Sequence, residues 1–178
     1  GANILKVEHP GGGDRTRKYT DGEEDFSPYF SSINRGKHSL VMDLKHPSGL
    51  ELACRLAQQA DVVVQNLVPG AMERLGFGLD AMRRRNPRLV TCSVTGYGPD
   101  GPYRDRPSFD FIAQAMSGFM SVNGFADGPP LRTGGPYVDI LGGAHLYAAL
   151  MTALLQRERS GRGQLVEVAM IEAQFAVL

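Results

Sequence analysis

The chain has 178 residues, 42% of them apolar, which is enough for a domain with a real core. Lys plus Arg and Asp plus Glu balance at 19 each, so no net charge draws the chain to nucleic acid or to a membrane surface. Its two cysteines, Cys54 and Cys92, each fall inside an apolar periodic segment and fit no metal-site spacing, so both are expected as core thiols in a reducing compartment. No apolar run approaches the ~20 residues of a membrane span, and the first residues lack the pattern of a signal peptide. A soluble, cytoplasmic chain that binds neither nucleic acid nor membrane is expected.

Strand-like and helix-like segments alternate, which predicts an α/β fold with a parallel sheet. Strands are expected at 4–7 and 39–44, then a helix over 48–59, where Leu50, Leu52, Ala53, Leu56 and Ala57 recur at helical spacing. The run Asp61-Val62-Val63-Val64-Gln65 reads as a strand covered on both faces. After Pro69-Gly70 the pattern predicts a helix to about Leu75 and another over 79–85, followed by a strand at 88–94. Helices are expected over 108–121 and 140–159. The turn Gly161-Arg162-Gly163 then leads into a last strand at 164–168, and an apolar helical pattern runs from Met170 to Leu178. Two Gly- and Pro-rich loops interrupt this order, at 95–103 and 123–136. On the rim of a parallel sheet such loops are where ligands bind.

Asp139 stands alone as an acid in Gly134-Gly135-Pro136-Tyr137-Val138-Asp139-Ile140-Leu141-Gly142-Gly143, with a helical pattern starting just after it. An acid there is either a helix cap or a carboxylate that the helix terminus keeps ionised while partly buried, as a nucleophile requires. Three common signatures are absent. Ser31 and His38 occupy places where a phosphate-binding Walker loop around Gly36-Lys37 needs Gly and Ser or Thr. Gly11-Gly12-Gly13 does not continue into the dinucleotide fingerprint, and no hydrolase elbow surrounds Ser93.

What remains is a set of spaced elements: Lys6-Val7-Glu8-His9-Pro10 with Gly13-Asp14 and Arg17; Asn34-Arg35-Gly36-Lys37; Asp43-Leu44-Lys45; Asn66 with Pro69-Gly70; Arg74-Leu75-Gly76; Thr95-Gly96-Tyr97-Gly98; Gly101-Pro102-Tyr103; Asp110 with Gln114; Pro129-Pro130; Asp139; and Gly161-x-Gly163-Gln164. In this order the whole chain resembles the class III coenzyme A transferases, the family of formyl-CoA and carnitine CoA-transferases. The resemblance implies a Rossmann-like parallel sheet with flanking helices, part of the large domain of an interlocked homodimer. It implies transfer of CoA between an acyl-CoA and a carboxylic acid, with CoA as substrate and no metal. Asp139 matches the catalytic aspartate, which would carry a covalent aspartyl intermediate. Asp110 and Gln114, four apart on one helix face, complete the catalytic set. The glycines 134, 135, 142 and 143 could supply oxyanion-binding N–H groups and room for the pantetheine arm.

For CoA itself, Lys45, Asn66 and Arg74 match contact positions of the family, with Met42, Leu67 and Ala71 as apolar neighbours. Arg15, Arg17 and Lys37 are phosphate partners by charge alone. Their ordinary alternative is solvated surface. His9 departs from the family, standing where formyl-CoA transferase has an arginine. Tyr97 and Tyr103 are expected to wall the substrate pocket, residues 124–130 to form a lid, and Arg132 to bind the second carboxylate of a dicarboxylic acceptor.

Two rival readings stand beside this one. An α-methylacyl-CoA racemase would need a histidine before Asp110 as acid/base partner. Phe109 stands there instead, and His145 is too far along its helix. A non-catalytic CoA-binding or assembly paralogue would lack the nucleophile, yet Asp139 is present. Both ends of the chain look cut, so it reads as a truncated large domain without the N-terminal strand region and the C-terminal half. In isolation such a piece is expected to be inactive and poorly soluble.

Overall fold

The structure is a computed structural model that describes residues 1–19 and 26–178. These fall into two compact units, Gly1–Ala53 and Cys54–Leu178.

In the first unit, β1 (Leu5–Glu8) leads through a 3-10 turn (Arg15–Lys18) to α1 (Pro28–Asn34), and β2 (His38–Val41) pairs parallel with β1. Buried Glu8 organises the unit. Its carboxylate accepts two hydrogen bonds from Arg17 (Nε 2.8 Å, Nη2 2.7 Å), one from Ser39 Oγ (2.8 Å) and one from the Asp14 N–H (2.9 Å). Arg17's hydrogen bonds do most to hold the Glu8 carboxyl down to about 2, outweighing its burial. Lys6 pairs with Asp14 at 2.6 Å, and Asp14 caps the 3-10 turn through the Thr16 N–H. Gly13, at φ +72°, is required here because a Cβ would stand 2.5 Å from the Glu8 carboxylate.

Helix α2 (Pro47–Gln59) opens the way to a second parallel sheet with strand order β3-β4-β5: Val62–Gln65, Val90–Thr95 and Leu165–Ala169. Helices α3 (Ala71–Arg74) and α4 (Leu79–Arg85) connect β3 to β4. From β4 to β5 the chain runs through α5 (Asp110–Met116), α6 (Phe119–Val122) and α7 (Tyr137–Ser160), and α8 (Met170–Phe175) follows β5. Leu146, Ala149, Leu150, Ala153 and Leu154 of α7 pack on Val90, Cys92 and Val166 of the sheet. A second cluster joins Ala113, Val138 and Met170 with Val94. Near the C-terminal end of α7, buried Arg157 reaches the Asp61 carboxylate at 3.0 Å. Burial pushes the Cys92 thiol up to about 11, as expected of a core thiol, whereas Cys54 is only half-buried.

The α/β architecture with parallel pairing is as expected, and several elements differ in detail. The strand at β2 stops at Val41 because the Asp43 carboxylate turns the chain by accepting from the Lys45 N–H. The valine run of β3 is not covered on both faces: it lies at the edge of its sheet with Val64 56% exposed, and the buried central place belongs to β4. The helix expected over 108–121 is two helices, because Gly118 at φ +85° interrupts it. Helix α1 was not anticipated, although Ser27 capping the Phe30 N–H with Pro28 in the first turn is a standard start signal. Finally, α7 is long and apolar enough to cross a membrane by length and composition, although its sequence holds no unbroken apolar run of that length. One of its faces packs on the sheet, while Ile140, Tyr147, Met151 and Leu155 are exposed.

Glu8 and Gly163 make this packing testable. Glu8 has a folded-state pKa below its unfolded value, so its contribution is present above pH 4.5 and lost as pH falls from there through about 2. Denaturant titrations across that window should show Glu8→Gln less stable at neutral pH and with a flatter acid limb; an unchanged limb would remove Glu8 as its source. Gly163 sits where a Cβ would be 2.0 Å from the Leu89 carbonyl oxygen, so Gly163→Ala should lower stability by about 2 kcal/mol or more in a denaturation midpoint measurement.

Candidate functional site

In a parallel sheet every strand ends on the same rim, and loops leaving that rim form the usual ligand crevice. The second unit has such a crevice, a pocket of about 400 Å³. Its wall is made by residues 66–69 after β3, by 94–96 at the end of β4, by Met170 after β5, by four residues of the loop before α5, and by Asp139 and Gly143 of α7. The Gln65 side chain makes the first of these turns. It donates to Ser93 Oγ at 2.7 Å and accepts from the Leu67 N–H at 2.6 Å, which brings Asn66 and Leu67 to the pocket.

Asp139 is in the first turn of α7, and the N-cap residue of that helix, Pro136, offers no side-chain cap. A carboxylate from another helix supplies one. Asp110, 6% exposed, accepts from the Val138 N–H at 2.7 Å and from the Asp139 N–H at 3.1 Å through one oxygen. Its other oxygen accepts a short bond from Gln114 Nε2. Fully buried Gln114 also donates to Thr133 Oγ1 (2.8 Å) and accepts from the Thr133 N–H (3.0 Å), while Thr133 Oγ1 donates to the Gly135 carbonyl (3.0 Å). One connected network therefore ties α5, the loop before α7 and the first turn of α7 together. A charge-assisted bond of this kind contributes about 1.5–3 kcal/mol.

The Asp139 side chain stands outside that network. It is exposed toward the pocket, with no hydrogen-bond or ion-pair partner among the described residues. Partial desolvation, followed by the negative charge of Asp110, raises its pKa above the usual aspartate value. The direction is opposite to the one a free helix terminus would give, because Asp110 already accepts from the Val138 and Asp139 N–H groups of that turn. Asp139 is also not a cap. One turn along, Gly143 faces open space beside it, so the wall next to the carboxylate is free of side-chain bulk.

The remaining expected residues are distributed as follows. Asn66 and Leu67 line the pocket with Asp139, whereas Ala71 and exposed Arg74 follow on α3 outside its wall. Met42, Lys45 and Arg17 belong to the first unit: Met42 is buried, Lys45 is exposed, and Arg17 commits its Nε and Nη2 to Glu8 and stacks over Phe30 at 4.0 Å. Gly142 and Gly143 lie inside α7, so their N–H groups belong to the helical ladder and are not oxyanion donors. Tyr97 and Tyr103 pack edge-on against each other at 5.7 Å and do not line the pocket. The expected lid lines a separate cavity of about 170 Å³, and Arg132 stacks over Phe111 at 4.1 Å, outside the wall that holds Asp139. The sequence reading missed Arg104 and Arg106, which do line the pocket. Their only signal was their position between a glycine-rich rim loop and Asp110. Among the described residues no group of three or more His, Cys, Asp or Glu side chains is placed to hold a metal ion.

The profile of CoA-transferase family III matches residues 1–178. The chain belongs to CoA-transferase family III. It is 42% identical to succinate–glutarate CoA-transferase of Agrobacterium fabrum over 185 residues, covering all of this chain and 46% of that protein. It is 44% identical to formyl-CoA:oxalate CoA-transferase of Streptomyces avermitilis, covering all of this chain and 42% of that one. Among solved structures, a CAIB/BAIF family protein from Brucella suis superposes with a TM-score of 0.94 at 37% identity, covering 100% of this chain and 48% of that one. Rv3272 from Mycobacterium tuberculosis gives 0.91 at 38%, covering 99% and 49%. The chain thus spans less than half the length of these family III relatives.

If Asp110 raises the Asp139 pKa as its proximity implies, replacing that charge should lower it. In a carbon-13 NMR titration of the side-chain carboxyls, Asp110→Asn should move the Asp139 midpoint to lower pH; an unmoved midpoint would mean that desolvation alone sets it.

Proposed function

We propose that the protein, at its natural length, transfers coenzyme A from an acyl-CoA to a carboxylic acid with Asp139 as the nucleophile. The observation that carries this reading is the setting of Asp139: an unpartnered carboxylate, held by a capped helix turn, in a pocket at the rim of all three strands. Family membership supports the reaction class, and the relatives' names give succinate, glutarate and oxalate as acids to try first.

In this reading an Asp139 oxygen attacks the thioester carbonyl, the C–S bond breaks, and CoA leaves as thiolate, giving a mixed anhydride. The thiolate then attacks the aspartyl carbonyl, releasing the donor acid and leaving an aspartyl-CoA thioester. An acceptor carboxylate reverses both steps. A carboxylate suits this chemistry because its acyl derivatives stay activated, whereas a serine ester would be too stable to return the acyl group to a thiol. Only the ionised form attacks, so the raised Asp139 pKa places the acid limb of the rate above the ordinary aspartate value. Asp110 and Gln114 act as positioning residues: both are buried, and their polar atoms are engaged with α7 and Thr133. Asn66 and Leu67 would flank the pantetheine arm. An interlocked homodimer, with this chain as part of its large domain, completes the reading.

Racemization is disfavoured because Phe109, which lines the pocket where a second proton carrier is needed, cannot move a proton. His145 is not in the wall, and its Nδ1 lies 2.9 Å from the Leu141 carbonyl.

Peptide mass spectrometry after incubation with acyl-CoA donors is the test. A CoA or hydroxylamine-trapped acyl adduct on Asp139, absent in Asp139→Asn, is the expected result. No adduct with any donor, together with exchange of the substrate α-proton into deuterated solvent, would replace transfer by racemization.

A further inference from the structure

Among the described residues the pocket wall contains one acid, Asp139, and two cations, Arg104 and Arg106. Neither arginine is used by the transfer chemistry above. The Arg106 guanidinium lies over the Tyr103 ring at 4.3 Å, and Tyr97 braces that ring edge-on. Stacking holds the plane of the guanidinium while leaving its N–H edges free, and Arg106 has no carboxylate partner among the described residues. Among the described residues Arg104 pairs only with its exposed neighbour Asp105, at 3.4 Å, a pair of little energetic weight.

The charge on the wall changes during the reaction. While Asp139 is free, the wall carries two positive charges and one negative. When the acceptor arrives, Asp139 is joined to CoA as a thioester and uncharged, so the wall carries two positive charges. A monocarboxylic acceptor brings one negative charge and leaves an excess, whereas a dicarboxylic acceptor brings two and balances it. The CoA phosphates are a poor match for these cations. They are separated from the sulfur by an arm of about a dozen bonds, roughly 15 Å when extended, whereas both arginines share one wall with Asp139, where the sulfur reacts.

We infer that Arg106, assisted by Arg104, is the seat for the distal carboxylate of a dicarboxylic acid, and so determines which acids the site accepts. This deepens the transferase reading and rests on it for the position of the reacting carboxylate. It also replaces Arg132, whose guanidinium is stacked on Phe111 outside the pocket wall.

The test uses the protein at its natural length with one fixed acyl-CoA donor and acceptors matched in carbon number: succinate against butyrate, and glutarate against pentanoate. Arg106→Gln should lower kcat/KM for the dicarboxylates roughly 10- to 100-fold and leave the monocarboxylates within about threefold. Arg104→Gln should act in the same direction and more weakly, and Arg132→Gln should not discriminate. Equal losses for both acid classes would overturn the inference. So would a rise in KM for the acyl-CoA that is independent of the acid, which would assign these arginines to CoA phosphate. Calorimetric binding of glutarate and pentanoate to the same variants separates the two levels of the argument. If no Asp139 adduct forms but Arg106→Gln still weakens glutarate selectively, the nucleophile assignment fails and the carboxylate seat stands. If glutarate binding does not depend on Arg106, the seat fails whatever the adduct experiment gives.

Discussion

The geometry of the site depends on one buried carboxylate that is not part of the pocket wall. Asp110 accepts the N–H groups of Val138 and Asp139 and thereby starts α7 from a different helix. The first turn of any helix has N–H groups without partners, and Pro136 has no side chain able to satisfy them. With Asp110 in place, the turn is tied through Gln114 and Thr133 to the preceding loop, and Val138 is locked into the core beside Ala113 and Met170. Asp139, the next residue, is left facing the pocket. Its position is therefore set by its backbone, and its carboxylate remains available.

The N-terminal unit uses a related arrangement with a different outcome. Glu8 is also a buried carboxylate that gathers backbone and side-chain donors, but one of its partners is the guanidinium of Arg17. The attached cation holds the Glu8 carboxyl near 2 and makes the group a structural anchor. Among the described residues Asp139 has no cation bonded to it, and partial desolvation followed by its carboxylate neighbour Asp110 moves its pKa the other way. A cation bonded to one acid and a second acid beside the other separate a structural anchor from a carboxylate left free toward the pocket.

The alternation of strands and helices was legible because apolar periodicity directly records which faces are buried. Helix α4 matched residue for residue, and most other boundaries moved by one to three residues. The larger departures have identifiable causes. Helix α7 starts before Ile140 because its cap comes from Asp110, 29 residues away in sequence from Asp139, and local signals cannot report that. Val62–Gln65 looked like a doubly covered strand because a β-branched run is the same at an edge as at a centre; only the pairing order distinguishes them. Asp139 itself was found because a lone acid in an apolar, glycine-rich stretch is unusual chemistry. Arg104 and Arg106 were passed over because loop arginines are common, and nothing local says which of them faces a cavity.

The sequence by itself determined the fold class, the family and the identity of the prominent acid, since all three are written in the order of residues along the chain. Tertiary structure decided the role of each residue. It made Asp110 the cap of another helix, engaged Gln114 fully in the interior, turned Arg132 onto an aromatic ring, and brought Arg106 to the wall that holds Asp139. The physical reason is that burial, hydrogen-bond partners and electrostatic neighbours are properties of positions in space. Residues far apart in sequence, such as Asp110 and Val138, acquire them only when the sheet and its helices have closed around a common rim.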